Sequence, residues 1–228
     1  MSFVGAQQLV DHCEGSWPRL CQLHDDSIAQ QTVKPALRLE VKHFVGDLGS
    51  ALDYCASELF QKYGHSKKPS PRIYFPYAKP PLGPSEFRSK LVERCIPGLS
   101  SARPDIVEKL AEYQYFGRTG NWLPILMKIT NEHKHEQLTP QIQKTYKTVA
   151  ITATIPDGET VKFDLTKIPL KPTPDKPYHG TVGTWTGLVF AETSAGVKPL
   201  LEHSLRNVRR IVEELSALCE GTASSDDG

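Results

Sequence analysis

With 228 residues and a net charge of +1, the chain is long enough for one sizeable core. It is too nearly neutral to be read as a nucleic-acid domain from overall charge alone. Its 23% charged and 39% hydrophobic residues are those of an ordinary globular chain. No stretch approaches the ~18 apolar residues of a membrane helix. The opening MSFVGAQQLVDHCEG lacks the basic and apolar regions of a signal peptide, so a cytoplasmic protein is expected, with no membrane partner.

In chain order, residues 1–34 read as amphipathic N-terminal helix, in one piece or broken near Pro18. Five cysteines, Cys13, Cys21, Cys55, Cys95 and Cys219, form no CxxC pair and read as reduced thiols. Asp11, His12, Cys13, Cys21 and His24 match no standard zinc spacing; neither metal nor cofactor is expected.

A helical bundle core is expected over 35–140. Pro35 suits a helix start and Gly64 a stop. Between them Val41, Phe44, Val45, Leu48, Leu52, Cys55 and Leu59 recur at three and four. Gly46 and Gly49 interrupt that helix at ~1 kcal/mol each, and either could admit a close neighbour. HSKKPSPRIYFPYAKPPLGP (65–84) reads as a proline-rich loop anchored by Ile73, Tyr74 and Phe75. Ser85 is placed as the cap of EFRSKLVERCI, stopped by Pro97 and Gly98, and Pro104 and Asp105 open the next helix. Asn121 is placed as the cap of WLPILMKITNEHKHEQL, which is apolar on most sides and is expected to be the central helix.

After Pro140 the period becomes two. KTVAITATIP and VKFDL alternate as a hairpin, and GTVGTWTGLVF supplies a further strand, giving antiparallel strands over 145–192. Residues 169–177 are a proline-rich connector. AGVKPLLEHSLRNVRRIVEELSALC reads as a closing helix over 196–219, and GTASSDDG (221–228) as a disordered acidic tail. One α+β domain over 1–220 is expected.

No GxGxxG, P-loop, GxSxG or HExxH is present. The polar cluster NEHKH remains. Asn131, Lys134 and His135 share a helix face, whereas His133 turns about 200° away toward Leu126 and Ile129 and reads as a core histidine. A structural role for the trio is to end a buried helix, with Asn131 bonded to Asp47 or Asp53 on the long helix. A catalytic role makes His135 a general acid/base, Lys134 a stabiliser of phosphate charge and Asp53 an orienting acid, as metal-independent RNA cleavage would need. On the last helix Arg206, Arg209 and Arg210 interleave with Glu202, Glu213 and Glu214 and read as a solvated ion-pair face.

SALDYCASEL, RIYFPYA and NEHKH together resemble an uncharacterised bacterial family with ALDxL and NxxKH motifs, the resemblance as a whole spreading over 38–218. In that family a helix reading LHNLRSALDHL precedes an FP segment, a helix ending N-x-x-K-H-R, strands and a final helix. Its helical part is distantly similar to HEPN domains, the bundles of many prokaryotic RNases and of toxin and defence proteins. The resemblance implies a HEPN-like helical bundle followed by a small antiparallel sheet and a long C-terminal helix. Ser50, Ala51, Leu52 and Asp53 fall on the first motif, and Asn131, Lys134 and His135 on the second. The family arginines fall on Gly49 and Glu136, and no arginine stands at Arg-x4–6-His spacing before His133 or His135, Lys128 being the nearest cation. A lysine loses the bidentate fork that grips phosphate. The expectation is a binding or interaction module for RNA or another protein, in a bacterial toxin or defence setting. Its rivals are an endoribonuclease centred on His135 and a structural protein that homodimerises through its helices. No motif points to DNA.

Overall fold

The computed structural model describes residues 3–67, 69–117, 120–135, 141–154, 160–164, 180–191 and 193–221. Side chains are described over the same stretches except 132–135 and 145–185. The connector 169–177, the turn after Thr154, the residues 136–140 that were to end the NEHKH helix, and the tail beyond Gly221 lie outside the described residues.

Helix α1 (Val4–Ala29) and helix α2 (Pro35–Tyr63) pack along each other. Pro18 sits inside α1 and does not break it, so of the two expected alternatives the single helix is the one formed. Proline lacks one N–H and so forgoes one helical bond, while Val10, Cys13, Leu20 and His24 remain buried on either side and hold the helix in line. Trp17 of α1 meets Phe44 of α2 with ring centroids 5.6 Å apart.

Both ends of α2 fall where Pro35 and Gly64 place them, and the Gly64 N–H donates to the Phe60 carbonyl at 2.8 Å. All seven residues of the expected apolar stripe are buried, each burial worth ~1.5–3 kcal/mol for the larger side chains. Helix α2 touches α1, the NEHKH helix α7 (Trp122–His135) and the closing helix α8 (Val197–Glu220). It is therefore the hub of the bundle, the place expected for α7. Gly49 makes room for α7. A Cβ there would stand 2.7 Å from Thr130 Cγ2, so the bare backbone is what lets α7 lie so close. Thr130 is fixed in turn, its hydroxyl bonding the Leu126 carbonyl at 2.9 Å and the Val45 carbonyl at 3.2 Å.

Between α2 and α7 the chain makes short helices: α3 (Pro84–Glu86), a π-helical turn (Phe87–Leu91), α4 (Val92–Cys95), α5 (Leu99–Ala102) and α6 (Pro104–Glu112). Ser85 is not a cap. The helix starts one residue earlier at Pro84, with Gly83 before it and no side-chain cap bond. Gly98 has φ +86° and a Cβ would collide with the His65 ring; only glycine suits both the conformation and the space. The His65 N–H donates to the Pro97 carbonyl at 2.9 Å, which pins the start of the proline-rich loop to the α4–α5 corner.

Strands β1 (Gln141–Thr154), β2 (Thr160–Asp164) and β3 (Gly180–Phe190) form an antiparallel sheet in the order β2-β1-β3. The hairpin and the third strand occur as the alternation implies. Ile151 pairs with Phe163 on one side and with Gly180 on the other, and Gln141 pairs with Phe190. The buried end of β3, Leu188, Val189 and Phe190, meets α1 and α8. The expected stripe of α8 is buried from Val197 to Leu215, with Leu218 half-buried. On its outer face Arg206 pairs with Glu202 at 3.3 Å, Arg209 with Glu213 at 3.8 Å and Arg210 with Glu214 at 3.9 Å, as expected, and Arg209 also reaches Glu14 of α1 at 2.5 Å. Among the described residues, no helix is long and apolar enough to cross a membrane.

Candidate functional site

The loop between α2 and α3 carries RIYFPYA, and two helices and the turn after α6 grip it. Asp53 of α2 accepts the Phe75 N–H at 3.0 Å. Gln114, just past α6, accepts the Ala78 N–H at 2.8 Å and donates to the Pro76 carbonyl at 3.2 Å and the Leu110 carbonyl at 2.9 Å. Asn131 of α7 donates to the Tyr77 hydroxyl at 3.1 Å. Phe75, Pro76 and Ala78 are buried between these anchors. Buried backbone polar groups must find partners, and in this irregular stretch side chains supply them.

These bonds place two of the residues expected to form a site. Asp53 and Asn131 do serve one structure, but they meet the loop and not each other as expected. Asp47 does not join them. It lies on the other side of α2, with its carboxylate 3.8 Å from His12 Nε2 of α1. Burial pushes its carboxyl above the usual range, against the pull of His12 and His43. Lys134 and His135 follow Asn131 by three and four residues in α7, and their side chains, with that of His133, lie outside the described residues. The cysteine–histidine cluster of α1 is dispersed: Cys13 is buried with its Sγ 3.7 Å from the Phe44 carbonyl, and Asp11 bonds Arg209. Among the described residues no three His, Cys, Asp or Glu side chains converge.

The outer face of the same loop forms a trough. Two hollows of about 790 and 340 Å³ share Tyr74 and Arg94 as a common wall. The larger adds His65, Lys67, Arg72 and Glu93, and the smaller adds Tyr77 and Lys79. Four permanent cations and a histidine thus surround two half-buried tyrosines and face one acid, whose Oε1 is occupied by the Gly98 N–H at 2.9 Å. Nearby cations outside the trough are neutralised: Arg88 by Glu108, Lys90 by Glu86 and Arg103 by Asp105. Those inside it hold no carboxylate among the described residues. Lys79 Nζ lies 5.3 Å from the Tyr77 ring centre, within cation–π range. Burial, reinforced by contact with Cys95, raises the Tyr74 phenol above its usual value, and burial likewise raises the Cys95 thiol. Both therefore stay neutral, and Tyr74 offers a flat, uncharged ring.

The trough was missed from sequence because 65–84 reads as a connector with an apolar anchor. The signal was present. Three lysines and an arginine flank two tyrosines in HSKKPSPRIYFPYAK, a mix of cations and aromatic rings that suits phosphates and flat rings. No protein-family model, curated protein or solved structure matches the chain.

Proposed function

We propose that this chain is a HEPN-like α+β module that binds single-stranded RNA along the trough. The observation that carries this reading is the set Lys67, Arg72, Lys79 and Arg94, without carboxylate partners among the described residues, around Tyr74 and Tyr77. Cations not neutralised by carboxylates track a phosphate backbone, and aromatic rings stack on bases whatever their sequence, at ~1–3 kcal/mol per base. An overall charge of +1 is compatible with this, because the binding charge is local: four cations line one trough.

The test is fluorescence anisotropy with short single-stranded RNA at low salt, comparing wild type with Arg72→Gln, Lys79→Gln and Arg94→Gln. All three positions are exposed, so folding should be unaffected. Weaker binding in each variant is expected, and unchanged binding in all three ends the proposal. Running the same RNA on a gel in EDTA, with His135→Ala alongside, decides between binding and cleavage. RNA that stays intact supports a module without nuclease activity. Cleavage lost in His135→Ala would transfer the chemistry to His135, with Lys134 and Asp53 assisting.

A further inference from the structure

A second pocket, of about 570 Å³, opens between the last turns of α1, the end of β3 and the first turn of α8. Small-molecule sites run from ~300 to 1,000 Å³. Ile28, Leu188, Val189 and Pro199 make its walls largely apolar. One ring is sunk among them: His24, 7% exposed. Its Nδ1 lies 2.9 Å from Asp25 Oδ1. A carboxylate only accepts, so Nδ1 carries the proton. Asp25 is steadied by Lys198 Nζ at 3.3 Å. In the neutral ring Nε2 is then an acceptor, and among the described residues nothing donates to it.

The neighbouring sheet edge supplies the complement. β3 is the outer strand beside β1. The Phe190 N–H donates to the Ala195 carbonyl at 2.9 Å, away from β1. Strand alternation sends the Leu188 N–H out of the same edge. The charge balance argues against an anionic ligand. Lys198 is already neutralised by Asp25, and Glu202 also lines the pocket.

We infer that this pocket binds a small, neutral, mostly apolar molecule that gives a hydrogen bond to His24 Nε2 and takes one from the strand edge, the chemistry of aromatic amides and lactams. The ring is oriented by Asp25, so the ligand meets a fixed acceptor in apolar surroundings, where a hydrogen bond is strong and an unmade one is costly.

The experiment titrates the full chain with a panel of aromatic amides and lactams and follows the His24 ring nitrogens by NMR. Expected are members of the panel that shift Nε2, N-methylated analogues that bind about tenfold more weakly, and loss of binding in Ile28→Trp, which fills the pocket from a half-buried wall. Thermal melting confirms that the variant is folded. A panel that never moves the His24 resonances overturns the inference. So do N-methylated analogues that bind equally well, because that comparison needs no variant.

Discussion

Asp53 and Phe75 are 22 residues apart in the chain, and one 3.0 Å hydrogen bond from the Phe75 N–H to the Asp53 carboxylate joins them. The acid sits on α2, yet its partner is main chain in a loop. Replacing it with alanine strands a buried donor, at a cost of about 1–3 kcal/mol. Asp53→Ala should unfold at lower urea concentration with an unchanged m-value, and Asp53→Asn, whose amide oxygen still accepts, should recover about half the loss. Equal stability for all three proteins would mean that the bond contributes nothing.

Gly49→Ala gains helix propensity worth ~1 kcal/mol but drives a methyl into Thr130 Cγ2. Thr130 cannot swing away without giving up its bonds to Val45 and Leu126. A net loss of about 1–2 kcal/mol is expected. Thr130→Ser keeps the hydroxyl and deletes the obstructing methyl, so the double variant should be more stable than the two single losses combined predict. Simple additivity in denaturant melts would refute the contact.

RNA held by four cations should show a strong salt dependence. For single strands each neutralised phosphate contributes ~0.7 to the slope of log K against log salt, or about −3 in all. Each cation-to-glutamine change in the trough should reduce that slope by about 0.7. A slope near zero would indicate that the trough does not hold phosphates.

Stability should decline at both ends of the pH scale through one pair. Glu214 accepts the Tyr113 hydroxyl and lies 3.3 Å from Lys109 Nζ. Burial opposes its charge, but those two bonds prevail and hold its carboxyl below the ordinary 4.5. The folded state therefore binds the proton less readily than the unfolded chain. This contribution is present above the unfolded value and is lost as pH falls through the folded one. Tyr113 behaves oppositely. Burial first, then Glu214, raises its phenol above 10.0, so its contribution is complete below that value and is lost as pH rises beyond it. Urea unfolding across pH should show Glu214→Gln with a shallower acid decline and Tyr113→Phe with a shallower alkaline one.

Thiol labelling gives a simple check on the core. Cys13, Cys55, Cys95 and Cys219 are buried, and Cys21 is half-buried. A disulfide-exchange reagent should modify Cys21 alone in the native protein and all five after unfolding, since reactivity needs both access and thiolate. Rapid native labelling of a second cysteine would show that the helices pack otherwise.

Residues that act locally could be read directly. Pro35, Gly64 and the apolar periods of α2 and α8 state their own boundaries, because capping and burial stripes depend on neighbours a few positions away. Alternation likewise exposed the three strands. What depended on tertiary partners was hidden. Asp47 and Asp53 look interchangeable in the sequence, yet six residues on a helix separate them by about 240°, so one meets α1 and the other the loop. Asn131 was paired with an acid because acids were its nearest plausible partners, whereas the fold offers Tyr77. Pro18 left two readings open, and the fold decides for one helix because burial on both sides outweighs a single missing bond.

The grip of α2, α7 and the turn after α6 on RIYFPYA also sets a timescale. An irregular loop ordinarily exchanges its amide hydrogens quickly, through small local openings. Here the Phe75 and Ala78 amides are tied to Asp53 and Gln114, and freeing either one requires the loop to leave its seat among the helices. Those two protons should therefore exchange as slowly as the interior of α2. The protein's least regular segment would then belong, kinetically, to its most persistent one.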